Sequence, residues 1–185
     1  MTPWITKPVP FNIGQGAAAE GGDAGLTWNT SSYYQAVFSD SDKTVTGTTF
    51  GVWTPGSVTS EAITSVSFTV PTQSYVIFMI TPQSTYRQPT SPPPWGNRYG
   101  WYFQGAGGGY DIERANFAGS MSPAQTRNST DVMTITTEGT ASAGGIRLLK
   151  NDVEIDDYGS GLFTGDVWGE PHLNGDNAIT SCTLV

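Results

Sequence analysis

The sequence predicts an all-β protein, an antiparallel β-sandwich of jelly-roll type that follows an extended N-terminal arm. About a third of the 185 residues are Gly, Ser or Thr, and charged residues make up only 13%, so the composition differs from that of a helical bundle. Aromatic residues make up 12%, which a disordered chain would not have. Short segments of β-branched and aromatic residues recur between turn residues, as in β-sandwiches.

The arm is predicted over residues 1–25. Pro3, Pro8 and Pro10 disfavour a helix there, and residues 13–25 are rich in Gly and Ala with little to pack. The sandwich is predicted over residues 26–185, as one domain.

Ten segments of the sandwich are candidate strands. Ile63–Val70 alternates apolar with hydroxyl residues, which predicts one buried and one wet face. Tyr75–Ile80 is continuously apolar and predicts a strand buried on both faces. The other candidates are Tyr34–Phe38, Lys43–Phe50, Gly100–Gln104, Tyr110–Glu113, Asp131–Thr137, Ile146–Lys150, Val153–Ile155 and Ile179–Leu184.

The segment Thr81–Tyr99 is predicted to be an exposed, stiff loop. It holds five prolines, which lack the N–H donors that a central strand needs, together with aromatic and arginine side chains. Exposed aromatic rings beside Asn and Arg are typical of sugar-binding sites. We therefore predict a ligand-binding site made of Tyr86, Arg87, Trp95, Asn97, Arg98 and Tyr99, with Trp168 as a further candidate.

The alternative for Trp95 is that it packs over the end of the sandwich or on a neighbouring subunit. Three other tryptophans, Trp28, Trp53 and Trp101, are predicted to lie in the core.

The charge balance narrows the partners. The formal net charge is -8, which disfavours nucleic-acid backbones and anionic membranes. Cys182 is the only cysteine, so no intrachain disulfide can form, and we expect it to be a small buried hydrophobe. No apolar run has the length of a signal peptide or membrane span, so we expect a soluble chain.

Catalytic and metal sites find little support in the sequence. Glu154 and Asp156 are spaced to share one face of a strand, as a glycosidase pair would be, but an acidic turn after a hairpin explains them better. His172 is the only histidine, which disfavours a Ser-His triad or a zinc site. The acidic segments 39–42 and 151–157 leave calcium open as an alternative. We predict no catalytic residue, no metal and no cofactor.

Two stretches resemble SPRY-like domains of the concanavalin A-like lectin superfamily. The first runs from Leu26-Thr-Trp-Asn29 through Ala36–Asp40 to Lys43–Thr48, and the second from Asp131–Ile135 to the hairpin Gly145–Ile155. Pro171–Thr180 is similar to the final strand of that superfamily. Asn151-Asp152 stands where the superfamily usually has Asn-Gly, so the turn requires Asn and Asp in a left-handed conformation.

The resemblance implies a domain that binds sugars, peptides or proteins through variable loops, without transferable catalytic residues. With the arm and the acidic, Gly/Ser/Thr-rich composition, the chain also resembles accessory proteins of virus particles, especially bacteriophages. We therefore expect a non-enzymatic virion surface protein, a capsid decoration or a tail or fibre domain, that binds a host glycan or surface partner through its aromatic loops. We also expect it to be assembled in the host cytoplasm, to contact other virion subunits and to be a homo-oligomer. The alternative is a purely structural virion subunit.

Overall fold

The computed structural model describes residues 28–29, 36–41, 43–48, 54–55, 58–71, 74–82, 98–105, 112–115, 125–138, 145–173, 175 and 177–184. These residues form strands and no helix: β1 (Trp28–Asn29), β2 (Ala36–Ser39), β3 (Thr44–Gly47), β4 (Thr54–Pro55), β5 (Val58–Thr59), β6 (Ser65–Thr69), β7 (Val76–Thr81), β8 (Tyr99–Phe103), β9 (Ile112–Arg114), β10 (Val132–Glu138), β11 (Gly145–Lys150), β12 (Val153–Asp157), β13 (Trp168–Leu173) and β14 (Ala178–Leu184). The predicted arm and Trp53 lie outside the described residues. Within the described part, no helix is long and apolar enough to cross a membrane.

Two antiparallel sheets make up the fold, which confirms the predicted β-sandwich. One sheet has seven strands in the order β12-β11-β10-β6-β14-β3-β2, and the other has five in the order β4-β13-β7-β8-β9. β1 and β5 pair separately. Non-consecutive neighbours such as β6 and β14 bring distant segments of the chain together.

The core lies between the two sheets. On β6, Val66 and Phe68 are buried, whereas the alternating residues Ser65, Ser67 and Thr69 are half-exposed, as the sequence pattern predicts. Every residue of β7 is buried, which confirms a strand covered on both faces. The rings of Phe68 and Phe78 stack with centroids 4.6 Å apart, so β6 and β7 join the sheets at this point.

The hairpin between β11 and β12 turns as its sequence requires. Asn151 and Asp152 have φ values of 50° and 65°, the left-handed region that a two-residue turn of this type needs. Asn151 also fixes the turn to β10, since its Oδ1 accepts a hydrogen bond from the Val132 amide and its Nδ2 donates one to Asp131.

β13 is the main strand that the sequence prediction misses. We expected Pro171–Thr180 to resemble one final strand, but Pro171 lies in β13 of the five-stranded sheet and Thr180 lies in β14 of the seven-stranded sheet. The Gly169 amide donates to Thr59 Oγ1, away from β7. Residues two apart in a strand direct their N–H groups to the same side, so an N–H group at position 171 would also point away from β7. Pro171, which has no N–H group, therefore costs no hydrogen bond between β13 and β7.

Candidate functional site

Three of the seven predicted binding residues lie in the described part of the chain, namely Arg98, Tyr99 and Trp168. The other four, Tyr86, Arg87, Trp95 and Asn97, lie outside the described residues. The structure therefore locates the base of the predicted site.

The three residues lie at the same end of the five-stranded sheet, in or next to the two strands that flank β7. β7 ends at Thr81 and β8 begins at Tyr99, with Ile80 paired to Tyr99. Trp168, the first residue of β13, pairs with Thr81 and is partly exposed. The chain leaves the sheet at Thr81, beside Trp168, and returns to it at Tyr99, on the other side of β7. We call this end of the sheet the loop end. Because Ile80 and Thr81 face opposite sides of the sheet, so do their partners Tyr99 and Trp168.

Tyr99 is half-buried in an aromatic group at the loop end. Its ring meets those of Tyr158 and Phe163 edge to face, with centroids 5.5 and 5.3 Å away, an arrangement that aromatic pairs prefer. Tyr99, which begins β8 after the predicted loop, is thus packed among aromatic rings.

Arg98 is buried, as is Thr81 at the end of β7, so the exposure that we expected of the segment Thr81–Tyr99 is wrong for these two residues. The side chain of Arg98 is 8% exposed, and its Nε lies 3.4 Å from Oε2 of Glu170. The other oxygen of Glu170 lies 2.8 Å from Nε2 of His172. Glu170 and His172 are two residues apart on β13 and therefore share one face. We call Arg98, Glu170 and His172 the buried charge cluster.

The charge of Glu170 is stabilised by its two neighbours. Burial alone would raise the pKa of this carboxyl, but the attraction of His172 and Arg98 outweighs burial and holds the pKa below its ordinary value. The carboxylate thus balances the Arg98 guanidinium inside the protein. It also ties the last residue before β8 to β13.

A second cluster connects the two sheets. Asp156 on β12 accepts hydrogen bonds from Trp101 Nε1 at 2.8 Å and from Arg114 Nε and Nη2 at 2.8 and 2.7 Å. The Arg114 guanidinium also lies 4.5 Å from the centre of the Tyr158 ring, and Tyr158 donates its hydroxyl proton to the Gly100 carbonyl. We call Asp156, Arg114, Trp101 and Tyr158 the inter-sheet clamp.

The expectation that Glu154 and Asp156 share a face is wrong. The register between β11 and β12 shifts at a bulge, so Glu154 pairs with Leu149 while Asp156 pairs with Leu148. Consecutive residues of β11 face opposite sides of the sheet, and their partners do the same. Asp156 reaches Trp101 of the other sheet, whereas Glu154 lies 3.6 Å from Arg147 at the surface. These two carboxylates do not form the pair that a glycosidase needs.

The remaining residues considered in the sequence analysis are Cys182 and the acidic segment 39–42. Cys182 is fully buried, as predicted, and burial raises the pKa of its thiol. In the segment 39–42, Asp40 accepts a hydrogen bond from Thr44, and Asp42 lies outside the described residues. Among the residues that the structure describes, no three His, Cys, Asp or Glu side chains are grouped to hold a metal ion.

Trp28 and Trp101 are buried, which confirms two of the three predicted core tryptophans. The buried charge cluster is what the sequence analysis missed. Trp168, Glu170 and His172 alternate with Gly169, Pro171 and Leu173, and this spacing of two was the available signal.

Comparison with known proteins supports the fold. No protein-family model matches the sequence, and no curated protein matches it significantly. Among solved structures, the TRIM65 PSpry domain is similar with a TM-score of 0.53 at 12% identity, over 84% of this chain and 88% of that one. A human SPRY domain has a TM-score of 0.43 at 14% identity, over 81% and 97% of the two chains. A candidate glycosyl hydrolase from Parabacteroides distasonis has a TM-score of 0.49 at 9% identity, over 86% and 88%. The likeness to the TRIM65 PSpry domain, together with the two antiparallel sheets, shows that the chain has a SPRY-like β-sandwich fold.

Proposed function

We propose that the chain is a non-enzymatic binding domain on the surface of a virion, a bacteriophage capsid decoration or a tail or fibre domain, and that it binds a host glycan through aromatic side chains at the loop end. One observation carries the binding proposal. The aromatic segment 82–98 follows Thr81, which pairs with the partly exposed Trp168, and it precedes Tyr99, which pairs with Ile80 on the other side of β7.

Sugar binding needs an apolar platform and nearby polar groups. A tryptophan ring offers a large flat surface with one N–H donor, and the neighbouring loop contributes Tyr86, Arg87, Trp95 and Asn97 by sequence. The buried anchor at Arg98 and the packed ring of Tyr99 fix one end of that loop. A fixed end lowers the entropy lost when a ligand binds.

The non-enzymatic character is supported by the state of the acidic side chains. Asp156 is saturated by Trp101 and Arg114, and Glu170 is enclosed in the buried charge cluster. The virion setting rests on the acidic, Gly/Ser/Thr-rich composition and the Pro/Gly-rich arm of the sequence.

A glycan array with the purified protein tests the binding proposal. We expect the wild type to bind, and Trp168→Ala and Trp95→Ala each to lose about tenfold or more in affinity, as central aromatic residues of interfaces do. Tyr75→Ala is the matched control. Tyr75 is an aromatic residue with 43% exposure that precedes the opposite end of β7, about 20 Å from Thr81.

Failure of the folded wild type to bind any glycan would contradict the proposal and favour the structural virion subunit. A large fall in melting temperature for Trp168→Ala, with no binding by the wild type, would identify Trp168 as a packing residue. Equal loss of binding in Tyr75→Ala would place the site elsewhere.

A further inference from the structure

The outer face of the seven-stranded sheet carries hydroxyl side chains on adjacent strands. Three pairs face each other across the central strands, Ser65 with Thr136, Ser67 with Thr134, and Thr69 with Thr180. All six residues are half-exposed, while their strand neighbours Val66, Phe68 and Ile135 are buried in the core. We call these six residues the hydroxyl face.

We propose that the hydroxyl face is where two copies of this chain associate. The proposal concerns a different surface from the loop end and does not depend on glycan binding. It gives a location to the homo-oligomeric state that the sequence analysis expects.

The first argument is charge. The chain has a formal net charge of -8, so two copies repel each other over most approaches. The six positions of the hydroxyl face carry no charge. Charged side chains adjoin the face at one corner, where Arg147 of β11 pairs directly with Thr136 and lies 3.6 Å from Glu154 and 3.5 Å from Asp157. Two copies therefore meet with the least repulsion at this face.

The second argument is self-complementarity. In a two-fold symmetric dimer the same patch must fit itself. A carboxylate accepts hydrogen bonds only, but a hydroxyl both donates and accepts, so a hydroxyl surface is complementary to its own copy. Threonine methyl groups add apolar contact when two sheets pack about 10 Å apart.

The face is also pre-ordered. The Ser67 and Thr134 hydroxyl oxygens are 2.8 Å apart, and those of Thr69 and Thr180 are 2.6 Å apart. The Thr69 hydroxyl also donates to the Thr180 carbonyl at 3.3 Å, so only the Ser67–Thr134 pair leaves a hydroxyl hydrogen for a partner, while both pairs leave acceptor sites. Little side-chain entropy is then lost on association.

The size of the face sets the expected strength. Three strands about 4.8 Å apart, each with about five residues of 3.3 Å, give a flat area well below the roughly 800 Å² per partner of a stable complex. We therefore expect a weak and reversible dimer whose formation depends on concentration.

Sedimentation equilibrium of the full chain tests the proposal. We expect the average mass of the wild type to rise from 19.7 kDa towards twice that value between about 1 µM and 1 mM. Ser67→Asp and Ser67→Lys should both remain monomeric, because each places like charges opposite each other at the centre of the contact. Using both signs separates this local effect from the change in net charge.

Val153→Asp is the control, since Val153 is 64% exposed at the β11–β12 turn and outside the hydroxyl face. It should associate as the wild type does. If the Ser67 variants do not fold, Thr134→Asp and Thr134→Lys replace them, because Thr134 lies between Ser67 and the uncharged Leu149. Added salt should strengthen the dimer, because it screens the repulsion between the acidic copies.

A wild type that is monomeric at every concentration would overturn the proposal. So would a dimer that both Ser67 variants leave intact, or one that salt dissociates, since the latter would indicate an interface held by ion pairs.

Discussion

The buried charge cluster and the inter-sheet clamp each contain one carboxylate, Glu170 and Asp156 respectively, and the two carboxylates are stabilised in different ways. Glu170 has 1% of its side chain exposed, and its contacts are an arginine at 3.4 Å and a histidine at 2.8 Å. Asp156 accepts three short hydrogen bonds, and its partner Arg114 keeps 26% of its side chain exposed. One carboxylate depends on charge balance in the interior, and the other on hydrogen bonds near the surface.

The difference lies in what remains after one partner is removed. The side chain of Glu170 is only 1% exposed, so loss of Arg98 leaves a buried charge with His172 as its remaining partner and with almost no water to replace the guanidinium. Arg114 can turn towards solvent when Asp156 is neutralised, so the clamp loses its hydrogen bonds without trapping a charge. The two clusters should therefore respond to mutation with different magnitudes.

The largest effect is expected for Arg98→Met. Removal of the guanidinium leaves Glu170 buried beside His172, and breaking a buried ion pair costs about 3–5 kcal/mol of unfolding free energy. Chemical denaturation of the purified variant measures the loss.

Arg147→Met is the control for Arg98→Met, because Arg147 lies at the surface near Glu154 and Asp157 and should change stability by about 1 kcal/mol or less. Equal losses in the two variants would show that the Arg98–Glu170 pair does not balance a buried charge.

The next effect is expected for Asp156→Asn. The amide keeps the shape of the side chain but weakens the bonds from Trp101 and Arg114, for a loss of about 1.5–3 kcal/mol. Denaturation curves measure this loss beside those of Asp157→Asn. Asp157 accepts a hydrogen bond from Arg114 through its backbone carbonyl, which that substitution leaves in place. A loss for Asp156→Asn as large as that for Arg98→Met would contradict the proposed difference between the clusters.

Acidification should weaken both clusters, because the pKa of each carboxyl is lowered in the folded protein. For Asp156, burial raises the pKa, but the bonds from Arg114 and Trp101 outweigh it and lower the pKa below 3.8. The pKa of Glu170 is also lowered, since His172 and Arg98 outweigh burial. A carboxyl with a lowered folded-state pKa stabilises the protein above its ordinary pKa, and this stability is lost as the pH falls through the folded-state value.

The unfolding free energy of the wild type should therefore fall as the pH drops below about 4. In Asp156→Asn the fall should be shallower, because one of the two groups no longer titrates. An identical slope in the wild type and the variant would show that Asp156 does not bind its proton more weakly in the folded state.

The sequence predicts the clamp and the charge cluster to different extents. Alternation identifies β6, and a continuous apolar run identifies β7, because one or two buried faces leave these patterns. β13 is difficult to predict because Pro171 normally argues against a central strand. Here the missing N–H of Pro171 lies on the side away from β7, so the pairing of β13 with β7 is kept. The face of Asp156 depends on the bulge at Leu148 and Leu149, for which the sequence contains no turn residue.

The pairing of Arg98 with Glu170 depends on strands distant in the chain, so only the assembled sheet shows it. The same holds for the approach of Trp168 to the loop end. Sequence reasoning could name Trp168 and Arg98 as candidates from their residue types, but their opposite degrees of burial come from the strand order.

The smallest effect concerns the turn that carries β12 and thus the clamp. Asp152 has a φ of 65°, a region in which glycine has no steric cost and aspartate has some. Asp152→Gly should stabilise the protein by about 0.5 kcal/mol, after the greater freedom of glycine in the unfolded chain is subtracted. The gain should appear as slower hydrogen exchange of β11 and β12, with no change at β13.

Asn151→Gly is the matched control in the same turn. Asn151 also has a positive φ, but its side chain binds Val132 and Asp131, and the loss of these two hydrogen bonds should cost about 1–2 kcal/mol. Opposite signs at neighbouring positions would show that backbone conformation governs residue 152 and side-chain hydrogen bonding governs residue 151. A gain in both variants would instead mean that the Asn151 bonds contribute nothing to holding β12, and with it Asp156, in register.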